Sequence, residues 1–211
     1  MKIYLVRHGE TDWNRKLKIQ GQADIPLNDT GRKQASHAAG VLSSIQADIA
    51  YTSPLQRARE TAEIILSGKQ CSLYTEPLLK EISYGIREGQ SLTAVRCCPL
   101  FRLHNYLVHP GKYIPPRGGE TISELKARCQ SFLDNYVYGF EDTVSIMMIF
   151  THGAFMRAMF SLLKRTPDED FWSGPAPGNC GIIVMELNKG KFINFSYNNN
   201  LADVYCKNRL H

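Results

Sequence analysis

The run from Ser145 through Ile-Met-Met-Ile to Phe150 is the most apolar stretch of this 211-residue chain, and it stops abruptly at Thr151-His152-Gly153. With no polar alternation, it reads as a central strand covered on both faces. A strand of that kind needs a sheet beside it and helices above and below. The segments on either side supply both. Lys2 to Val6, Asp48 to Tyr51 and Cys71 to Tyr74 read as further strands. Gly181 to Leu187 and Lys191 to Tyr197 read as a hairpin about Asn188-Lys189-Gly190.

Helices are expected between them. Asn28 is a candidate N-cap for a helix whose apolar side carries Ala35, Ala38, Ala39 and Leu42. Ser53 is expected to cap a second helix with Pro54 at its first position and Ala58, Ala62, Ile65 and Leu66 as its stripe. Thr121-Ile-Ser-Glu124 forms a capping box ahead of Leu125, Cys129, Phe132, Leu133 and Tyr136. Phe155, Met159 and Leu162 mark a helix after Gly153. The polar segment from Gly9 to Leu27, carrying Gly21 and Pro26, reads as loop. The alternation implies a three-layer α/β/α sandwich with a mostly parallel sheet, residues 1–211 forming one domain. Leu78 to Gly119, broken by Pro99, Pro110, Pro115 and Pro116, is irregular, and about 82–119 is expected to be a helical and loop insertion that covers the sheet and the active site.

Bulk properties exclude several functions. No window approaches the ~18 apolar residues of a membrane span, and the start of the chain lacks the apolar core of an export signal. A cytoplasmic setting is expected, with Cys71, Cys97, Cys98, Cys129, Cys180 and Cys206 as free thiols and the adjacent Cys97 and Cys98 as packing residues. The net charge of +5 comes without any block of five like charges, so no nucleic-acid partner is expected. A mild positive balance also suits an enzyme that draws anions into a cleft.

In open α/β sheets, ligands bind beyond the carboxyl ends of the strands. Here those ends deliver Arg7 and His8; Thr52 and Ser53, with Arg57 one turn on; and His152 with Gly153. Two of them run into helix N-termini, which favour an anion. Arginine forks match phosphate geometry, and a neutral imidazole can act as a nucleophile. Four cationic or titratable side chains are costly to gather unless an anion neutralises them. A metal is not expected: there is no HxH, HExxH or Cys/His ligand spacing, and the neighbouring arginines would repel a cation. His37, His104, His109 and His211 show no comparable partners. A phosphate ester also needs a proton donor for its leaving alcohol. Glu81 and Glu88 are both candidates by position, and spacing does not choose between them.

Taken with its surroundings, LVRHGETDWN resembles the signature of the histidine phosphatase superfamily, whose members include cofactor-dependent phosphoglycerate mutases. IQGQADIPLNDTG, TSPLQRARETAEII, LLKEISYGIREG, GGETISEL and IFTHGAFMRA follow in the family's order. The resemblance implies that His8 is the phosphorylated histidine and that Arg7, Asn14, Arg57, His152 and Gly153 bind phosphate. It further implies that Gln20 and Gly21 line the site, that Glu81 is the proton donor with Glu88 supporting the loop, and that no metal or other cofactor is needed. GQADIPLN, EISYG and the short insertion look more like the small phosphatase branch, which includes alpha-ribazole phosphatase, than like the mutases. Arg87 stands where an aromatic is usual and Ala154 where a glycine is usual. The implied activity is hydrolysis of a small phosphorylated metabolite by a monomer or homodimer. Mutase activity and a non-catalytic regulatory module are the alternatives. Specificity is expected from the insertion, through Arg87, Arg96, Arg102, Tyr113 and Arg117, with Tyr106 and Lys112 beside them.

Overall fold

A computed structural model describes residues 1–100, 103–174 and 177–198. Its strands are β1 (Lys2–Arg7), β2 (Ile49–Thr52), β3 (Ser72–Thr75), β4 (Ile146–Thr151), β5 (Ile182–Asn188) and β6 (Lys191–Asn198). They form one sheet in the order β3-β2-β4-β1-β5-β6. The four strands from β3 to β1 run parallel, and β5 and β6 add an antiparallel edge.

The period-two rule decides which residues meet which helices. Ile3 and Leu5 of β1 and Met147 and Ile149 of β4 face the core shared with α6 (Ile122–Tyr136) and α7 (Gly153–Leu163), against Leu125, Phe132, Phe155 and Met159. Val6, Met148 and Phe150 face the opposite core, against Ala35 and Ala38 of α2 (Asp29–Val41) and Ala62 and Ile65 of α3 (Gln56–Leu66). The small alanines let those two helices lie close to the sheet. This is the expected α/β/α sandwich, with β4 buried on both faces at its centre.

Neighbouring β1 and β4 end in register, Arg7 opposite Thr151, and Thr52 of β2 lies one step short of that level opposite Phe150. From β1 the chain leaves toward α2 on one face, and from β4 toward α7 on the other. The crevice where the two connections part is a topological switch point, where doubly wound sheets bind ligands.

The sequence reading needs correction in three places. The loop from Gly9 to Leu27 contains a one-turn helix, α1 (Asp12–Arg15), closed by a capping box in which Thr11 and Asn14 bond each other reciprocally. Ser53 does not cap α3, which starts at Gln56; the Gln56 N–H donates to the Asp24 carboxylate instead, at 2.6 Å. The insertion is helical and loop as expected, with two short helices, α4 (Leu92–Cys97) and α5 (His104–Val108). Cys97 is exposed rather than packed. Cys206 and Arg102 lie outside the described residues. Among those residues, no helix is long and apolar enough to cross a membrane.

The segment after β1 rests directly on α2. A Cβ on Gly31 would stand 2.1 Å from the Glu10 carbonyl oxygen, whereas one on Gly40 of the same helix would meet nothing within 4 Å. Alanine normally stabilises a helix interior by about 1 kcal/mol over glycine. Gly40→Ala is therefore expected to raise the melting temperature, and Gly31→Ala to lower it despite its better propensity. A melt in which both variants gain stability would contradict the backbone contact.

Candidate active site

A cavity of about 320 Å³ opens at this crevice. Arg7, His8, Asn14, Gln20, Gly21, Arg57, Glu81 and Gly153 all line it, so eight residues named from sequence converge at one place. His152 sits behind them, its ring centre 5.2 Å from that of His8.

The two histidines differ in how their nitrogens are committed. His8 Nδ1 lies 2.7 Å from the carbonyl oxygen of Gly9. That contact requires Nδ1 to carry the proton, leaving the Nε2 lone pair free. Burial and the charges of Arg57 and Arg7 hold the ring well below the ordinary histidine pKa. It is a neutral imidazole at neutral pH, the form that can attack. His152 is fully buried and is also held well below its ordinary value, first by desolvation and then by Arg57, His8 and Arg7. Its Nε2 lies 2.8 Å from Ser53 Oγ. That oxygen already accepts from the Leu55 N–H at 3.3 Å. The hydroxyl proton is satisfied when it donates to Nε2, which places the ring proton of His152 on Nδ1.

Arg57 has no exposed surface, and burial lowers its pKa to about 10, so it stays charged. Its Nη1 and Nη2 donate to Ala23 O and Gly21 O at 2.8 and 2.7 Å. Arg7 donates to Pro177 O at 2.7 Å, and its guanidinium packs on Gly153, where a Cβ would approach Nε to 3.4 Å. Asn14 Oδ1 accepts from the Thr11 N–H at 3.1 Å, which turns the amide NH2 toward the cavity. Gln20 Oε1 accepts from the Thr11 hydroxyl at 2.9 Å. Gly21, at φ 54°, would drive a Cβ to within 2.2 Å of Glu88 Oε1. That carboxylate oxygen accepts from the Gln22 and Tyr84 N–H groups, so Glu88 braces the loop. Two buried donors at this rim, Arg57 Nε and His152 Nδ1, have no partner among the described residues. Unmet buried donors in a cationic pocket are what a bound oxyanion would satisfy.

Glu81 lines the same cavity. Its carboxylate accepts from Ile82 N at 3.0 Å and from Phe155 N and Ala154 N at 3.1 Å, the last two at the start of α7. The helix N-terminus thus fixes where the acid points. Glu88 is turned away into the loop. The geometry separates the two carboxylates that spacing left equivalent.

Of the residues expected to read the substrate, Tyr106 reaches the cavity, but Arg87, Arg96, Tyr113 and Arg117 are not among its lining. Arg87 donates to Gln90 at 3.3 Å, Arg96 and Arg117 are exposed, and Tyr113 stacks behind Tyr106. Several lining or supporting residues were not anticipated: Arg157, Trp172 and Asn179; Ser53 was named at the end of β2. Asn179 donates to His8 O at 3.1 Å, steadying the strand end that carries the histidine. Ser53 had a visible signal in its position after β2, although that position was read as a cap. For Trp172 and Asn179 nothing local in the sequence points inward.

A profile of the histidine phosphatase superfamily (branch 1) matches residues 3–200. This chain belongs to that superfamily. Fructose-2,6-bisphosphatase TIGAR B of Danio rerio is 33% identical over 216 residues, covering 97% of this chain and 76% of its own length. The probable phosphoglycerate mutase GpmB of Photorhabdus laumondii subsp. laumondii is 38% identical over 136 residues, 64% of this chain and 62% of its own. The crystal structure of alpha-ribazole phosphatase from Shigella flexneri matches with a TM-score of 0.83 over 95% of this chain and 97% of that one. At 22% identity, that likeness concerns the fold. The histidine phosphatase fold and an enzyme of phosphatase type are thus established for this chain.

Keeping two histidines neutral has a thermodynamic signature. Both have folded-state pKa values below the ordinary 6.5, so the unfolded chain binds more protons once the pH drops below about 6.5. Each then costs this histidine phosphatase about 1.4 kcal/mol per pH unit until its folded pKa is reached. In phosphate-free buffer the melting temperature is expected to fall from pH 7 to pH 5.5, and His8→Asn should reduce that slope. A flat profile in both proteins would refute the neutral pair.

Proposed function

We propose that this protein is a phosphomonoester hydrolase that works through a phosphohistidine on His8, on a small phosphorylated substrate. The observation that carries this reading is the committed Nδ1 of His8, which leaves Nε2 as a neutral nucleophile beside Arg7 and Arg57, in a pocket where Arg57 Nε and His152 Nδ1 have no partner among the described residues. The comparisons support the same chemistry, since the Danio rerio relative is named as a phosphatase.

The reaction has two in-line steps. Arg7, Arg57, Asn14 and the Nδ1–H of His152 hold the equatorial oxygens of the phosphoryl group, so developing charge meets donors already in place. His8 Nε2 forms a bond to phosphorus as the ester P–O bond breaks, and the carboxylic proton of Glu81 passes to the departing alkoxide. Water then enters, giving its proton to Glu81 as its oxygen bonds phosphorus and the N–P bond breaks. Phosphate leaves and the imidazole returns to its starting state. Gln20 and Gly21 close the side of the pocket, and Ser53 sets the His152 tautomer. We read residues 1–211 as one domain performing this cycle, with the segment over the site as its wall.

The mutase relative favours one competing outcome, return of the phosphoryl group to a second hydroxyl of the same substrate. Measuring phosphate release beside isomerisation of 3-phosphoglycerate separates the two, and release is the expected result.

Brief exposure to labelled substrate followed by an alkaline quench is expected to trap an acid-labile, alkali-stable adduct. His8→Ala should abolish both adduct and turnover. Glu81→Gln should slow esters with poor leaving groups most, by about 10²- to 10⁴-fold. No adduct in the wild type would sink the mechanism.

Removing the Ser53 hydroxyl tests the tautomer separately. Ser53→Ala is expected to lower kcat about tenfold to a hundredfold, short of the roughly 10²–10³ cost of deleting a transition-state donor outright. It should also shift the His152 ring ¹⁵N resonances away from the Nδ1–H tautomer. Unchanged resonances would show that Ser53 does not set it.

A further inference from the structure

From the far wall of the cavity we infer that the substrate's leaving group is an uncharged, largely apolar alcohol, rather than a sugar or a second acid. This rests on the hydrolase reading above and names the substrate class of the same site.

The cavity has two chemically distinct ends. Its amides and its carboxylate, Asn14, Gln20 and Glu81, stand with the phosphate-binding residues. Away from them the wall is Ile19, Leu92, Leu103, Leu107 and Trp172, together with the phenols of Tyr84 and Tyr106, whose ring centres lie 5.3 Å apart. The indole N–H of Trp172 is bonded to Tyr106 O, so the ring offers the cavity an apolar surface. Two cations also line this end, and both have other engagements. Arg157 Nη1 donates to Trp172 O and Gly174 O, and its guanidinium lies 5.4 Å from the Trp172 ring centre. Lys18 is exposed to solvent, with its ammonium 5.6 Å from the Trp13 ring.

Such a wall sorts substrates by what each would leave unpaired. A polyol held against leucine and tryptophan strands its hydroxyls, at a cost comparable to an unmade buried hydrogen bond. A hydrocarbon gains from every methylene it buries.

The apolar surface continues outward. Leu92, 36% exposed, stands at the rim, and its N–H donates to the carbonyl of Leu17, which is 56% exposed. Leu17 takes φ 48° as the left-handed residue that closes α1, its N–H bonded to Asn14 O and that of Lys18 to Trp13 O. Its side chain faces solvent. A longer apolar chain leaving the cavity would cover it.

The test uses the full chain and phosphate release from ethyl, butyl, hexyl and 3-phenylpropyl phosphate, whose leaving alkoxides differ little in basicity. Glycerol 3-phosphate, phosphoserine, 3-phosphoglycerate and fructose 2,6-bisphosphate form the polar arm. We expect kcat/KM to rise about two- to fourfold per added methylene until the wall is filled. Glycerol 3-phosphate should fall at least tenfold below butyl phosphate, and Leu92→Ser should flatten the series. A flat or falling series, or a tenfold preference for the acidic esters, overturns this inference while leaving the hydrolase intact; it would make Arg157 and Lys18 an anion subsite. No turnover of any ester and no adduct overturns the reading it rests on as well.

Discussion

Four arginines hold this site together by donating into backbone carbonyls. Arg7, at the end of β1, binds Pro177 O. Arg57 of α3 binds Gly21 O and Ala23 O. Arg128 of α6 reaches Leu78 O and Lys80 O, both at 2.6 Å, and grips Glu120 with the rest of its fork. Arg157 of α7 binds Trp172 O and Gly174 O. Each arginine grows from a regular element and each carbonyl belongs to an irregular one. Carbonyls in loops lack the ladder partners that helices and sheets provide, and a buried loop is expensive unless they are met. The guanidinium fork meets two or three at once.

This arrangement couples stability to function. The carbonyls of Gly21 and Ala23 disperse the charge of a fully buried Arg57, which keeps the cation where a phosphate can use it. The same contacts hold the loop that presents Gln20, and Glu88 braces that loop from behind. Arg128 does the equivalent for Glu81, because the segment it grips leads directly into that residue. His8, the proposed nucleophile, rests on a fixed strand end, and Glu81, the proposed acid, rests on a helix N-terminus. A small displacement of either would be costly, since attack and proton transfer both depend on sub-ångström placement. Burial, and after it the repulsion of a further positive charge by Arg57 and Arg7, keeps His8 and His152 neutral. The arginines that shape the loops therefore also help set the protonation state of the proposed nucleophile.

The layered fold and the phosphate end of the cavity were legible because they depend on local rules. Val6, Met148 and Phe150 announce their faces by alternation, and His8, Arg57 and His152 follow directly from strand ends. Element boundaries differ by a residue, as for Ile146–Thr151 against an expected Ser145–Phe150, because pairing with β1 rather than hydropathy decides where β4 stops. The one-turn helix at Asp12 was hidden because Asn14 closes its capping box, where a glutamate or glutamine is the usual sign. Ser53 was misplaced for a physical reason too. Serine after a strand caps helices well, but here its hydroxyl is taken by a histidine ninety-nine positions away.

The far wall was illegible for the reason the arginine frame works at all. A carbonyl acceptor has no side-chain identity, so nothing in the sequence around Trp172 or Gly174 reveals that Arg157 is aimed at them. Once it is, Trp172 is turned inward, its indole N–H reaches Tyr106 O, and α5 is drawn over the site with Leu103 and Leu107 on its inner side. The arginines of the insertion invite the opposite expectation, a positive rim facing a polar substrate. Yet a surface charge gains most from water, and Arg96, in the last turn of α4, and Arg117 take that course. Between them Leu103, Tyr106 and Leu107 go inward, where water is excluded, while Leu100, Val108 and Ile114 stay exposed. The segment that carries these arginines therefore presents the cavity with apolar surface.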